Sequence, residues 1–179
     1  MNKYLLLAVS GLFAVSGSAS AIGIYGQAGH KYTSIGVGMG TSTSGVALSG
    51  DWTRHNDNGY IADLGLGYNL PVGPAMVTLG GKGLYIKPDH GKTGYALGIG
   101  GGLSVPVMSH ISVFGQYYYA PDAFASRIDS YQEVQAGGRW MVFRPLTVEA
   151  GYRYMSLKDR NDNRNTIIDG PYLGVSAAF

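Results

Sequence analysis

The sequence predicts an all-β chain: a closed, antiparallel, up-and-down transmembrane β-barrel of about ten strands, with about eight as the alternative count, following a cleaved signal peptide. Three observations carry this prediction. Large apolar side chains recur at every second position along most of the chain, the intervening connections alternate between short turns and polar loops, and Tyr and Trp gather at segment ends.

Composition narrows the class further. Of 179 residues only 13% are charged, against about 25% in soluble globular domains. Beyond the N-terminus no apolar run approaches the roughly 20 residues of a membrane-spanning helix, which excludes a helical membrane protein. The formal net charge is +2, and Lys and Arg are scattered, so no basic stripe offers itself to a nucleic acid. The absence of cysteine rules out a disulfide framework and a thiolate metal site.

In chain order, residues 1–21 read as a signal peptide. Lys3 supplies positive charge, Tyr4 to Val15 an apolar stretch, and Ala19-Ser20-Ala21 a small-residue cleavage site. Residues 22–179 then form one domain. Its predicted strands are 22–29, 32–40, 45–54, 59–70, 75–86, 94–105, 110–119, 130–142, 146–155 and 166–179, each of a length suited to a tilted membrane strand. In the second, Ile35, Val37 and Met39 alternate with Ser34, Gly36, Gly38 and Gly40. In the fourth, Tyr60, Ala62, Leu64, Leu66, Tyr68 and Leu70 alternate with Ile61, Asp63, Gly65, Gly67 and Asn69. One face is greasy and the other small or polar, as a wall between lipid and lumen requires.

The connections Thr41 to Ser44, Pro71 to Pro74, Pro106 to Ser109 and Phe143 to Pro145 are short and uncharged or Pro-bearing. Those at His55 to Asn58, Lys87 to Thr93, Ala120 to Asp129 and Ser156 to Asn165 are polar and mostly longer. Outer-membrane barrels pair short periplasmic turns with longer external loops, so both termini fall on the periplasmic side. Trp52, Tyr60, Tyr85, Tyr95, Tyr117, Tyr119, Tyr152 and Tyr154 lie beside the external class, and Tyr68, Trp140, Phe143 and Phe179 at the other rim, giving two aromatic girdles. The final strand carries Leu173, Val175, Ala177 and Phe179 in phase, which resembles the C-terminal signal that outer-membrane proteins present to their barrel assembly machinery.

With the apolar phase facing lipid, Asp51, Asp63, Lys82, Gln116, Glu133, Gln135, Arg139, Glu149 and Arg153 point inward as a lumen polar network. Unpaired charge in a narrow interior is expensive, so these groups need partners. A four-residue turn at Pro71 to Pro74 pairs Leu70 with Ala75 and sets Asp63 opposite Lys82. A turn centred on Arg144 sets Arg139 opposite Glu149, and Gln135 opposite Arg153 with Glu133 a diagonal step away. The expected ion pairs are therefore Asp63–Lys82 and Arg139–Glu149, the second with room for a bidentate contact. Such charges form either a polar pathway or a plug; a barrel of about eight to ten strands encloses little space, which favours the plug.

The stretches Ala21-Ile22-Gly23-Ile24, Gly65 to Pro74, Gly80 to Tyr85, Gly138 to Leu146, Gly151 to Tyr154 and Asp169 to Val175 together resemble the YfaZ family of enterobacterial outer-membrane proteins. The likeness spans essentially the whole chain. It implies an outer-membrane barrel and transfers no catalytic residues.

Other patterns carry less. The glycines of Gly36-Val37-Gly38-Met39-Gly40 sit at alternate strand positions, where a phosphate loop needs them in a turn opening a helix. His110 and Ser112 share a strand face as base and nucleophile, with Glu149 or Glu133 as a third member, but they fall at the periplasmic end whereas lipid A lies in the outer leaflet. His30, His55 and His90 lack ligand spacing and read as solvated surface. The run Lys158 to Arg164 lacks the glycine and closing Glu of a calcium loop. No catalytic, metal or cofactor site is expected. The expected function is a small, non-enzymatic outer-membrane barrel with a plugged polar lumen, acting in envelope structure or surface interaction. Its expected partners are outer-membrane lipid, lipopolysaccharide and the assembly machinery, with no nucleic acid. A narrow porin-like channel and a lipid A-modifying barrel enzyme are the alternatives.

Overall fold

The computed structural model describes residues 22–56, 59–87, 93–126, 130–158 and 164–179, and the predicted leader over 1–21 lies outside them. Strands follow one another along the chain as β1 Ile22–Gly29, β2 Tyr32–Met39, β3 Gly45–His55, β4 Gly59–Val72, β5 Ala75–Lys87, β6 Gly94–Met108, β7 Ile111–Ala120, the short β8 Ala125–Ser126, β9 Ser130–Phe143, β10 Leu146–Lys158 and β11 Arg164–Ala178. No helix among the described residues is long and apolar enough to cross a membrane.

The wall is a single sheet in which each long strand pairs antiparallel with its neighbours in sequence, and β1 pairs with β11 to close the cylinder. Leaving aside the two-residue β8, ten strands form the wall. The seam is completed by Ile22 and Phe179, whose backbones exchange hydrogen bonds of 3.1 and 2.9 Å. β8 fills a local gap: β7 covers β6 only from Ile99 onward, and β8 pairs with Tyr95 and Ala96 on the edge left free above it.

Period-two alternation sets the two faces. Leu64 is 72% exposed while its chain neighbour Asp63 is 4% exposed, and Leu97 and Val113 likewise stand on the perimeter. Val148 is half-buried on the same face.

Two turns decide the register. At Arg144 the pairing Leu146↔Phe143 is followed by Thr147↔Met141, so a bulge absorbs Val142 and brings Glu149 opposite Arg139 as expected. At Gly73 the expectation fails. The ladder continues through Pro71↔Met76 and Val72↔Ala75, leaving Gly73-Pro74 as a two-residue turn with Gly73 at φ 60°. Pro71 is tolerated because β3 already ends opposite Asn69, so its missing N–H deprives no neighbour. The register therefore moves by two: Lys82 faces Gly65, and Asp63 faces Leu84.

Inward small residues set how closely the wall coils. A Cβ at Gly100 would press on the Tyr117 carbonyl and stand 2.7 Å from Tyr118 Cα, whereas one at the outward Gly83 meets nothing nearer than 4.0 Å. Gly100→Val is expected to abolish most of the folded, heat-modifiable band on unheated gels, and Gly83→Ala to migrate like the parent.

Candidate functional site

The lumen gathers the polar side chains, and Glu133 of β9 is its centre. Fully buried, it accepts from Arg153 of β10 at 2.8 and 3.1 Å on Oε1, and from Lys82 of β5 at 3.0 Å and the Tyr131 hydroxyl at 2.8 Å on Oε2. Both carboxylate oxygens are thus satisfied, the condition under which a buried charge is tolerated. The Arg153 contact is the diagonal one the register implies. The Lys82 contact crosses the lumen between strands that are not neighbours. Lys82 Nζ also stands 4.4 Å over the Tyr118 ring, and the Arg153 guanidinium 5.9 Å over Tyr32.

A second node lies toward the turn end. Glu149 Oε2 accepts from Arg139 Nε at 2.6 Å, through that one nitrogen and without a two-pronged fork. Its Oε1 accepts from the Tyr172 hydroxyl at 2.6 Å and Gln27 Nε2 at 3.0 Å. Gln135 donates to Tyr172 at 2.6 Å and accepts from Gln116 at 2.7 Å, which ties β7 and β9 to β11. The Arg139 guanidinium rests 3.8 Å over the Phe114 ring.

The expected Asp63–Lys82 ion pair is absent, because the two-residue turn slides these residues apart and Glu133 takes the ammonium. Asp63 instead faces Asp51 across the β3–β4 ladder. The Tyr25 hydroxyl donates to Asp51, while Asp63 Oδ1, buried, has no hydrogen-bond partner. Two inward carboxylates directly opposite one another repel when both are ionised.

The lumen has unlike halves. Toward the turn end lies a cavity of about 530 Å³, its mouth lined by residues such as Pro106, His110 and Pro145 and its inner end by Lys82, Asp51, Tyr118 and Arg153. Toward the loop end, Tyr131 and Met155 are fully buried and packed with Ile168, Ile61, Ile86 and Tyr32. The greasy-outside, polar-inside division therefore breaks down in that half, where inward aliphatic side chains pack against one another.

The remaining expected residues fall as follows. Trp52, Tyr60, Tyr85 and Tyr95 on β3 to β6 form a continuous outward ladder with ring centroids 6.4, 6.2 and 5.3 Å apart. Tyr117, Tyr119 and Tyr152 face outward near the same rim, and Tyr68 and Trp140 near the other, while Tyr154 is half-buried. Leu173, Val175 and Phe179 are exposed on the last strand and Ala177 is half-buried. His110 is exposed in the β6–β7 turn and Ser112 half-buried beyond it. His55 departs from its surface reading: β3 runs one residue further than expected and carries it, 9% exposed, into the interior. His30 is exposed, His90 lies outside the described residues, and so do residues 159–163 of the mixed run. No metal-binding cluster occurs among the described residues.

Sequence reading missed the inward tyrosines. Tyr25, Tyr118, Tyr131 and Tyr172 supply the hydroxyls or rings that complete the network, and Tyr32 joins the loop-end packing. The signal was present: Tyr131 shares the parity of Glu133 and Gln135, and Tyr118 that of Gln116. Asn69 was also passed over; it donates to the Gly40 and Thr43 carbonyls at 2.8 Å each and pins the β2–β3 turn.

Removing Glu133 strands two buried cations. Glu133→Ala is expected to cost about 3–5 kcal/mol in urea unfolding from lipid vesicles, and Lys82→Met less, because Arg153 still holds the carboxylate. Asp63→Asn, which relieves the facing charges, is expected to raise the unfolding midpoint.

Comparison with known proteins agrees with this architecture. The family described as YfaZ precursor matches residues 1–179. The chain is 51% identical over 180 residues to "Outer membrane protein YfaZ" of Escherichia coli K12, with both chains covered completely. Among solved structures it resembles the NanC porin in fold, with a TM-score of 0.51 and 10% identity, covering 90% of this chain and 99% of that one. It also matches the outer membrane channel DcaP of Acinetobacter baumannii at a TM-score of 0.49 and 8% identity, with 92% of this chain covered but only 55% of the DcaP chain. A ten-stranded barrel with apolar walls, matched from end to end by one family of outer-membrane proteins, leaves one assignment: the chain belongs to the YfaZ family and is a β-barrel protein of the bacterial outer membrane.

Proposed function

We propose that this barrel conducts no solute and catalyses no reaction, and that it acts in envelope structure or surface interaction with its lumen closed by its own side chains. One observation carries the reading: across the loop-end half, Tyr131, Glu133 and Met155 are fully buried and Ile168 is 1% exposed. Polar and apolar groups there pack against one another with little exposure to solvent. The small circumference of a barrel of about ten strands supports the same reading, since it encloses far less space than porins of about 16 to 18 strands do. The loops face outward and the turns and termini face the periplasm, as the short-turn, long-loop asymmetry of such barrels implies.

The enzyme alternative finds little support. His110 and Ser112 stand at the turn end, while Glu133 and Glu149 are engaged by Lys82, Arg153, Arg139 and Tyr172. A second reading, a narrow gated channel, is favoured by the cavity of about 530 Å³ at the turn end, which stops at the Lys82–Glu133 pair.

Planar-bilayer recordings separate these readings. The parent protein is expected to give no discrete conductance steps, and the triple variant Tyr131→Ala, Met155→Ala, Ile168→Ala to give them. Regular steps from the parent would establish the channel instead. Lipid A from cells with and without the protein is expected to give identical mass spectra, and a changed acyl pattern would restore the enzyme reading.

A further inference from the structure

On the outer wall near the loop end, β2 to β6 form an apolar trough of about 920 Å³. Its floor comes from small outward residues, Gly50, Ala62 and Gly83, set among Trp52, Leu64, Tyr85, Tyr95, Leu97 and Phe124. The register explains the shape. One row of cross-strand partners runs Trp52, Ala62, Tyr85, Tyr95, and the next runs Gly50, Leu64, Gly83, Leu97, so three short side chains are set among five tall ones. Phe124, 54% exposed, stands at the far lip, where the segment after β7 returns to β6.

One row above Trp52, Ala62, Tyr85 and Tyr95, Arg54 and Lys87 flank the girdle residue Tyr60 as its cross-strand partners, both exposed, with Lys87 Nζ 5.8 Å over the Tyr60 ring. The carboxylates that β2 to β6 carry, Asp51 and Asp63, belong to the inward phase, so the outward face of these strands is cationic at its rim and apolar below. From Lys87 to Gly83 is four residues, about 13 Å along a strand. That distance suits a molecule with phosphate at the rim, a link through the aromatic belt, and a hydrocarbon chain beneath it.

We infer that this trough is a binding site for a phosphorylated, acylated glycolipid of the outer leaflet, with Arg54 and Lys87 holding a phosphate and the Ala62–Gly83 floor receiving an acyl chain. The site rests on the outward orientation of the loop end and is independent of whether the lumen is closed.

The test uses the full chain extracted from membranes in a mild non-ionic detergent and exposed separately to bis-phosphorylated lipid A, dephosphorylated lipid A, phosphatidylcholine and inorganic phosphate. Bound lipid is read by native mass spectrometry and stability by tryptophan fluorescence on heating. Bis-phosphorylated lipid A is expected to be retained and to raise the melting midpoint, with the other three giving little. Arg54→Gln with Lys87→Gln is expected to weaken retention about tenfold or more. Gly83→Leu, which fills the floor at a site with space for it, is expected to weaken it comparably while the folded band persists. Equal retention of dephosphorylated lipid A or phosphatidylcholine, the same shift from inorganic phosphate, or parent-like binding by both variants would overturn the site. Conductance through the lumen, which would defeat the closed-barrel reading, leaves these readouts unchanged.

Discussion

A single carboxylate organises the interior. Glu133 is fully buried, and it is held because Lys82, Arg153 and Tyr131 converge on it from three strands. In a cylinder this narrow an inward charge is best held by a counterpart on another part of the wall, and among the described residues Asp63 is the exception that lacks one. The strands cannot slide independently once those contacts exist. Register, closure and lumen composition are therefore aspects of one constraint.

Much of this was legible in the sequence because strand alternation and hairpin counting are local. Leu64 and Asp63 declare opposite faces by adjacency, and Arg139 meets Glu149 because a bulge preserves the counted register. Lys82 escaped because Pro71 and Pro74 read as a longer loop, whereas the ladder runs through Pro71 at the end of β3's cover. Its true partner, Glu133, lies on a strand that is no neighbour, and no local pattern encodes a contact across the lumen. The inward tyrosines escaped for another reason: Tyr favours both an interfacial girdle and a buried hydroxyl, so residue type alone does not say which.

The two halves of the lumen divide the labour of stability. The loop-end half packs aliphatic and aromatic side chains as a soluble core does, so water is displaced there from both faces of the wall. The turn-end half keeps its space and relies on hydrogen bonds strung between side chains, with Asn69 anchoring a turn at the rim. The barrel therefore has a small core of its own at the loop end.

The length of the wall is not uniform around its circumference. β1 and β2 have 8 residues each, whereas β6 and β11 have 15. A tilted strand of that shorter length rises roughly 20 Å along the membrane normal, less than the apolar band of about 25 Å typical of such barrels. A short strand suits a thinner layer of hydrocarbon than a long one, so the paired wall at β1 and β2 is matched to less of the bilayer than the wall at β6.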